Sequence, residues 1–269
     1  MTKILDGREL AGFVKERQAR EVQSLRSSGV VPKLVIIRDS DNPVIVKYVE
    51  LKKQYGEDIG VEVDDVYVSG LEALKRAVTA ANKDKSVHGI IVQLPLCDTS
   101  WTDEVVGLIA ADKDVDGLSG NGKFDSATAT AINWLLAGHN IELTDKHIAI
   151  VGRGRLVGAP LAKMWRNSGL NVTVLHHGDD LSILADYDVV VSGTGVPELI
   201  TSEMVTPGTV VVDAGTASEG GVLVGDVASE VRGRNDLGAI TPRIGGVGPL
   251  TVGVLFEDVI IGAKKNIKP

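Results

Sequence analysis

Short apolar runs rich in β-branched residues alternate along this chain with longer stretches of mixed polarity. The runs predict strands at 33–38 (KLVIIR), 61–68 (VEVDDVYV), 87–93 (VHGIIVQ), 147–151 (HIAIV), 171–175 (NVTVL), 188–192 (DVVVS) and 209–213 (TVVVD). Runs such as VVVS and IAIV are apolar at successive positions, as strands are when helices cover both faces of a parallel sheet. The intervening stretches predict helices at 7–28, 44–59, 70–83, 127–138, 156–168 and 251–266. Strand and helix in alternation make βαβ units, so the predicted class is α/β with a parallel sheet.

The first three strands are separated from the last four by a strand-free stretch, 94–146, which contains the turn-rich GLSGNGKFDS at 117–126. A domain change belongs there. The chain therefore divides into 1–120, 121–249 and a final helix, 250–269, which from pattern alone could pack on either domain.

Composition narrows the function. Hydrophobic residues are 43% and charged residues 24% of 269, ordinary for a globular protein. The net charge of −8 argues against nucleic acid or an anionic membrane as partner, though not against an anionic small ligand. Aromatics, at 4%, are too few for a surface of stacked rings. The one cysteine, Cys97, allows no intrachain disulfide and no cysteine-based zinc site, and suits a reducing compartment. There is no signal-like N-terminal run and no stretch near the ~18 apolar residues of a membrane helix. The chain reads as cytoplasmic.

The run HIAIV leads directly into Gly152-Arg153-Gly154-Arg155-Leu156-Val157-Gly158 and then a helix with Pro160 in its first turn. Strand, glycine turn and helix are the context of a dinucleotide fingerprint. Glycines let a pyrophosphate approach, and the helix start offers free N–H groups and partial positive charge. The spacing GxGxxxG is one residue longer than usual, and a purely structural turn would look similar. An NAD site ends its next strand in a carboxylate for the ribose. Here that strand ends in His176-His177, with Arg153 and Arg155 nearby, which favours the 2′-phosphate of NADP. Asp179 and Asp180 follow closely and pull the other way.

In the first half, Tyr48 and Lys52 are four apart on a predicted helix and share a face. VQLPL puts Gln93 at a strand's C-terminal end, where ligands of open α/β sheets gather. Lys113-Asp114-Val115-Asp116-Gly117 offers two carboxylates. A helical lysine is usually solvated and Asp-Val-Asp-Gly is usually a turn, so spacing alone does not make these a catalytic set.

Taken together, ILDG (4–7), Tyr48-x-x-x-Lys52, VQLPL (92–96), KDVDG (113–117), VGRGRLVGAP (151–160), VVVDAG (210–215), GDV (225–227) and TPRIGGVGPLT (241–251) resemble the bifunctional methylenetetrahydrofolate dehydrogenase/methenyltetrahydrofolate cyclohydrolase family. The motifs span nearly the whole chain in the family's order. The resemblance implies an N-terminal α/β folate-binding catalytic domain, a Rossmann-like NADP domain with a parallel sheet, and a last helix returning to the first domain. It implies NADP-dependent oxidation of 5,10-methylenetetrahydrofolate and hydrolysis of the methenyl product to 10-formyltetrahydrofolate. A homodimer serving one-carbon metabolism and purine biosynthesis is implied as well.

The resemblance makes Lys52 the principal residue of hydrolysis, with Tyr48 its oriented neighbour and Gln93 its hydrogen-bond partner. It puts Asp116 on the pterin, with Tyr48, Gly246 and Pro249 also at the substrate. Gly152, Arg153, Gly154, Arg155, Gly158, His176, His177 and Thr194 fall to the cofactor. No metal is implied. The chain resembles a divergent member: Ile45 stands where the family has Ser, Ser126-Ala127-Thr128-Ala129 replaces Pro-Cys-Thr-Pro, and Arg153-Gly154, His176-His177 and Pro242-Arg243-Ile244 replace Arg-Ser, His-Ser and Pro-Val-Pro. A dehydrogenase using NADP or NAD with weak or no cyclohydrolase activity, a silent folate- or nucleotide-binding paralogue and an unrelated Rossmann dehydrogenase are the competing readings. The last leaves VQLPL and KDVDG unexplained.

Overall fold

A computed structural model describes residues 1–215, 217–219 and 222–265; the expected helix end at 266 lies outside them. The chain opens with β1 (Lys3–Ile4) and α1 (Gly7–Ser27). It continues through β2 (Lys33–Arg38), α2 (Pro43–Ile59), β3 (Glu62–Tyr67), α3 (Leu71–Lys83), β4 (Gly89–Val92) and the short α4 (Thr102–Val106). Then come α5 (Ala127–Gly138), β5 (Ile148–Val151), α6 (Gly158–Asn167), β6 (Val172–Leu175), β7 (Val189–Ser192) and β8 (Val210–Asp213). The antiparallel pair β9 (Ala217–Glu219) and β10 (Val222–Val224), α7 (Ser229–Arg232), β11 (Ala239–Ile240) and α8 (Val247–Lys264) follow.

Two compact units result. One comprises Gly12–Ala127 and the chain from Val252; the other comprises Met1–Ala11 and Thr128–Thr251. This differs from a division at 120/121. The change falls where α5 begins, and residues 1–11 leave the first domain because Lys3 and Ile4 pair in parallel with Ala239 and Ile240 at the edge of the second unit's sheet.

In the Gly12–Ala127 unit, β2 lies between β3 and β4, all parallel. Val35, Ile37, Ile90 and Val92 of the strands pack with Leu74 and Val78 of α3 and Val105 and Val106 of α4. Truncating fully buried Leu74 to Ala would cost about 2–5 kcal/mol. The start of α2 is fixed locally: the Asn42 side chain accepts from the Val44 N–H at 2.9 Å, and Pro43 opens the helix.

In the other unit a six-stranded parallel sheet runs β1-β11-β8-β7-β5-β6. Ala149, Val151, Val190 and Val211 enter its core with Val227, Val231 and Leu237. The chain passes from β5 to β6 on one side of it, then crosses back to β7 on the other side. That places a topological switch point between β5 and β7. Among the described residues, no helix is long and apolar enough to cross a membrane.

Candidate active site

Helix α2 buries the stripe Ile45, Val49, Lys52, Gly56 and Ile59. Lys52 thus occupies a core position in the i, i+3, i+4 pattern and is only 9% exposed. Its Nζ donates to Gln93 Oε1 at 2.8 Å. Gln93 follows β4 directly. Its backbone N–H prolongs the ladder to the Ile37 carbonyl at 2.8 Å, and its Nε2 donates to the Leu94 carbonyl at 3.1 Å, which turns Oε1 toward Lys52. Desolvation pushes the Lys52 amine below its ordinary range, while the Asp116 charge pulls it back up. One turn earlier, half-buried Tyr48 has its phenol raised by burial.

The 113–117 turn divides its charged groups between two jobs. Lys113 Nζ donates to the carbonyls of Ala81, Asn82 and Asp84 at 3.0, 2.9 and 2.7 Å, closing the C-terminal end of α3. Asp114 is fully buried and accepts from the N–H groups of Leu118 and Ser119 at 3.3 and 2.9 Å. Those bonds shape the turn. The Asp116 carboxylate takes no side-chain hydrogen bond among the described residues. Burial raises it to about 6, with Lys52 lowering it and Asp114 raising it further. This unit therefore offers an amine whose hold on its proton is weakened by burial and, within electrostatic reach, a carboxylate suited to N–H donors.

In the second unit, Gly152 directly follows β5 at φ 107°, a conformation that favours glycine. A Cβ there would lie 2.9 Å from the Gly193 carbonyl oxygen and 3.2 Å from the Thr194 methyl. A Cβ at Gly158, the first residue of α6, would lie 1.9 Å from the Gly152 carbonyl oxygen. Both glycines are thus required for the helix start to close against the loop at the switch point. Arg153, Gly154 and Arg155 are exposed between them. His176 and His177 are exposed at the end of β6, but His176 is engaged: its N–H donates to Asp179 at 2.8 Å and its Nδ1 lies 3.3 Å from that carboxylate. Thr194 follows β7. Gly246 is buried just before α8, and Pro249 lies in its first turn.

Lys52, Gln93 and Asp116 therefore come together in one unit. The glycine loop, His176, His177, Thr194, Gly246 and Pro249 belong to the other. Sequence reasoning gave no role to Lys113 or to two buried carboxylates of the second unit, Asp213 and Asp226. Asp213 accepts from the N–H groups of Gly215, Asp226 and Val227 at 2.9, 3.1 and 3.1 Å and pairs with Arg232. The signal available was an aspartate ending an apolar strand in VVVDAG and another in GDV. Among the described residues, no group of three or more His, Cys, Asp or Glu is arranged to hold a metal ion.

Residues 5–116 match the model of the tetrahydrofolate dehydrogenase/cyclohydrolase catalytic domain, and 126–267 match that of the family's NAD(P)-binding domain. The chain is 36% identical over 281 aligned positions to the bifunctional protein FolD of Macrococcus caseolyticus, covering 98% of each. It superposes with a TM-score of 0.92 on the crystal structure of the bifunctional enzyme FolD, a methylenetetrahydrofolate dehydrogenase/cyclohydrolase, from Campylobacter jejuni, at 34% identity over 98% of this chain and 99% of that one. The Trypanosoma brucei enzyme, solved with NADP cofactor and an inhibitor, matches with the same TM-score at 31% identity over 100% and 99%. With both domain models matched in order and relatives aligned end to end, the chain belongs to the tetrahydrofolate dehydrogenase/cyclohydrolase family.

Proposed function

We infer that this chain is a bifunctional enzyme: it oxidises 5,10-methylenetetrahydrofolate with NADP, then hydrolyses the 5,10-methenyl product to 10-formyltetrahydrofolate. The observation that carries the hydrolytic half is Lys52, buried on a core stripe, hydrogen-bonded to Gln93 and facing the Asp116 charge. The methenyl carbon is a cationic electrophile, so its hydrolysis needs a positioned water and proton transfers. Lys52 takes a proton from that water at Nζ and returns one to the departing ring nitrogen. Gln93 holds Nζ in place, and Tyr48 orients it. Asp116 receives two N–H groups of the pterin edge in a charge-assisted pair.

Bound NADP supplies the hydride acceptor. The second unit fits it: a glycine turn without side chains, the positive end of α6 at Gly158, and the exposed Arg153. Arg153 takes the 2′-phosphate, helped by Arg155 or His177, and His176 contributes less because Asp179 holds it. Gly246 and Pro249 line the substrate. A homodimer in a reducing, cytoplasmic compartment completes the reading; family membership and the single cysteine support it, and sedimentation of the purified chain tests it.

The deciding assay mixes purified protein, methylenetetrahydrofolate and either NADP or NAD, and follows methenyl absorbance as it forms and decays. Formation with NADP followed by enzyme-dependent decay is expected. Formation without enzyme-dependent decay would leave only the dehydrogenase, and no formation would overturn the reading.

A further inference from the structure

Asp226 is fully buried, and its Oδ2 accepts three hydrogen bonds: from the Ser192 hydroxyl at 2.7 Å, the Thr194 N–H at 2.6 Å and the Thr194 hydroxyl at 2.9 Å. Asp226 is itself fixed, because its backbone N–H donates to Asp213 at 3.1 Å. The Thr194 hydroxyl oxygen also accepts the Val196 N–H at 3.1 Å. Its one proton is committed to Asp226, and one of its two lone pairs to Val196. Toward a ligand, half-buried Thr194 can therefore only accept.

A phosphate oxygen near neutral pH is also an acceptor, so it gains nothing from this hydroxyl, and the carboxylate behind it repels phosphate. Thr194 nevertheless stands at the nucleotide loop, its methyl against Gly152. It follows β7, on the far side of β5 from β6, and in dinucleotide folds the tip of the strand after the glycine loop, here β6, serves the adenosine ribose. We propose that Asp226 is a positioning residue that presents Thr194 Oγ1 as an acceptor for an O–H or N–H donor on the nicotinamide riboside half of the dinucleotide, a ribose hydroxyl or the carboxamide. This rests on the dinucleotide reading above and deepens it.

The test compares NADP with 2′-phospho-ADP, which carries the pyrophosphate and the 2′-phosphate but no nicotinamide riboside. Dissociation constants are measured for wild type, Thr194→Val, Thr194→Ser, Asp226→Ala and the double variant Thr194→Val/Asp226→Ala. Thr194→Val should weaken NADP about fivefold or more and leave 2′-phospho-ADP within about twofold. Thr194→Ser keeps the hydroxyl and should restore NADP. Asp226→Ala should match Thr194→Val, and combining the two should add nothing. NADP binding at the wild-type level by folded Asp226→Ala overturns the role of Asp226; if that variant does not fold, Asp226→Ser, whose shorter side chain leaves Thr194 Oγ1 without its acceptor, takes its place. Equal weakening of both ligands by Thr194→Val, or weakening of neither, overturns the proposal. Failure of wild type to bind either ligand would instead overturn the dinucleotide reading on which it rests.

Discussion

Lys52 on α2 and Gln93 at the end of β4, 41 positions apart, are joined by a 2.8 Å hydrogen bond from Nζ to Oε1. The contact is held from both sides. Lys52 lies on the stripe that packs α2 into its unit, and Gln93 is pinned by the sheet ladder at its backbone and by Leu94 at its amide nitrogen. An amine so placed loses most of its water and has one neutral acceptor in exchange. That combination lowers its proton affinity while fixing where its lone pair can point.

Lys52→Met removes the proton carrier with little change in volume. Cyclohydrolase activity should fall by ~10²-fold or more while NADP binding persists. Decay of the methenyl absorbance, beside a separate NADP titration, checks this; near-normal hydrolysis by a folded variant would reject the role.

Gln93→Leu withdraws the acceptor that favours the ammonium form. Lys52 should then lose its proton more readily, so the acidic limb of the hydrolysis pH profile should move to lower pH as the maximal rate drops. A lower rate with an unmoved limb would mean that Gln93 does not tune the amine.

Asp116 titrates near about 6 in the folded chain, against an ordinary 3.8. Because the folded value is the higher one, its contribution to stability is fully present below pH 3.8 and is lost as pH rises through 6. Asp116→Asn should therefore be the more stable protein above pH 6, by on the order of 3 kcal/mol, and equal to wild type below pH 3.8. Folate binding should show the opposite trend. The wild-type dissociation constant should rise as pH falls below 6, and the variant should bind ~10-fold or more weakly at pH 8. Denaturation curves at pH 4 and 8, with folate titrations at each, test both halves.

Arg153→Ala should weaken NADP by ~10- to 150-fold and NAD far less, since only NADP carries the 2′-phosphate. Equal losses for the two cofactors, or equal wild-type affinities, would remove Arg153 from that contact.

Gly158→Ala places a methyl 1.9 Å from the Gly152 carbonyl oxygen, a backbone atom that cannot step aside alone. The loop must open, at a cost of about 1–3 kcal/mol or more. NADP binding should weaken by more than tenfold while Lys52-dependent hydrolysis continues, as paired NADP titration and hydrolysis assays would show.

Periodicity and motif order alone determined the α/β class, the seven longer strands from β2 to β8, the glycine loop opening α6 and the family, because these depend on neighbours within a few positions. The two-residue strands β1 and β11 escaped that reading. Nothing in KI or AI specifies a strand; each forms because a parallel partner is present, and that pairing carries residues 1–11 into the second unit. Helix α8 begins at Val247, four residues before its expected start, inside a Gly/Pro-rich run that reads as loop. KDVDG showed two equivalent carboxylates; only packing separated them, by surrounding Asp114 with N–H groups and leaving Asp116 desolvated without them. In the same way, the burial of Lys52 on Gln93 and the capture of Thr194 by Asp226, 32 positions away, were decided by the tertiary structure. A side chain's proton affinity and its free lone pairs depend on what the fold removes from water and what it sets opposite, and neither is a local property of the chain.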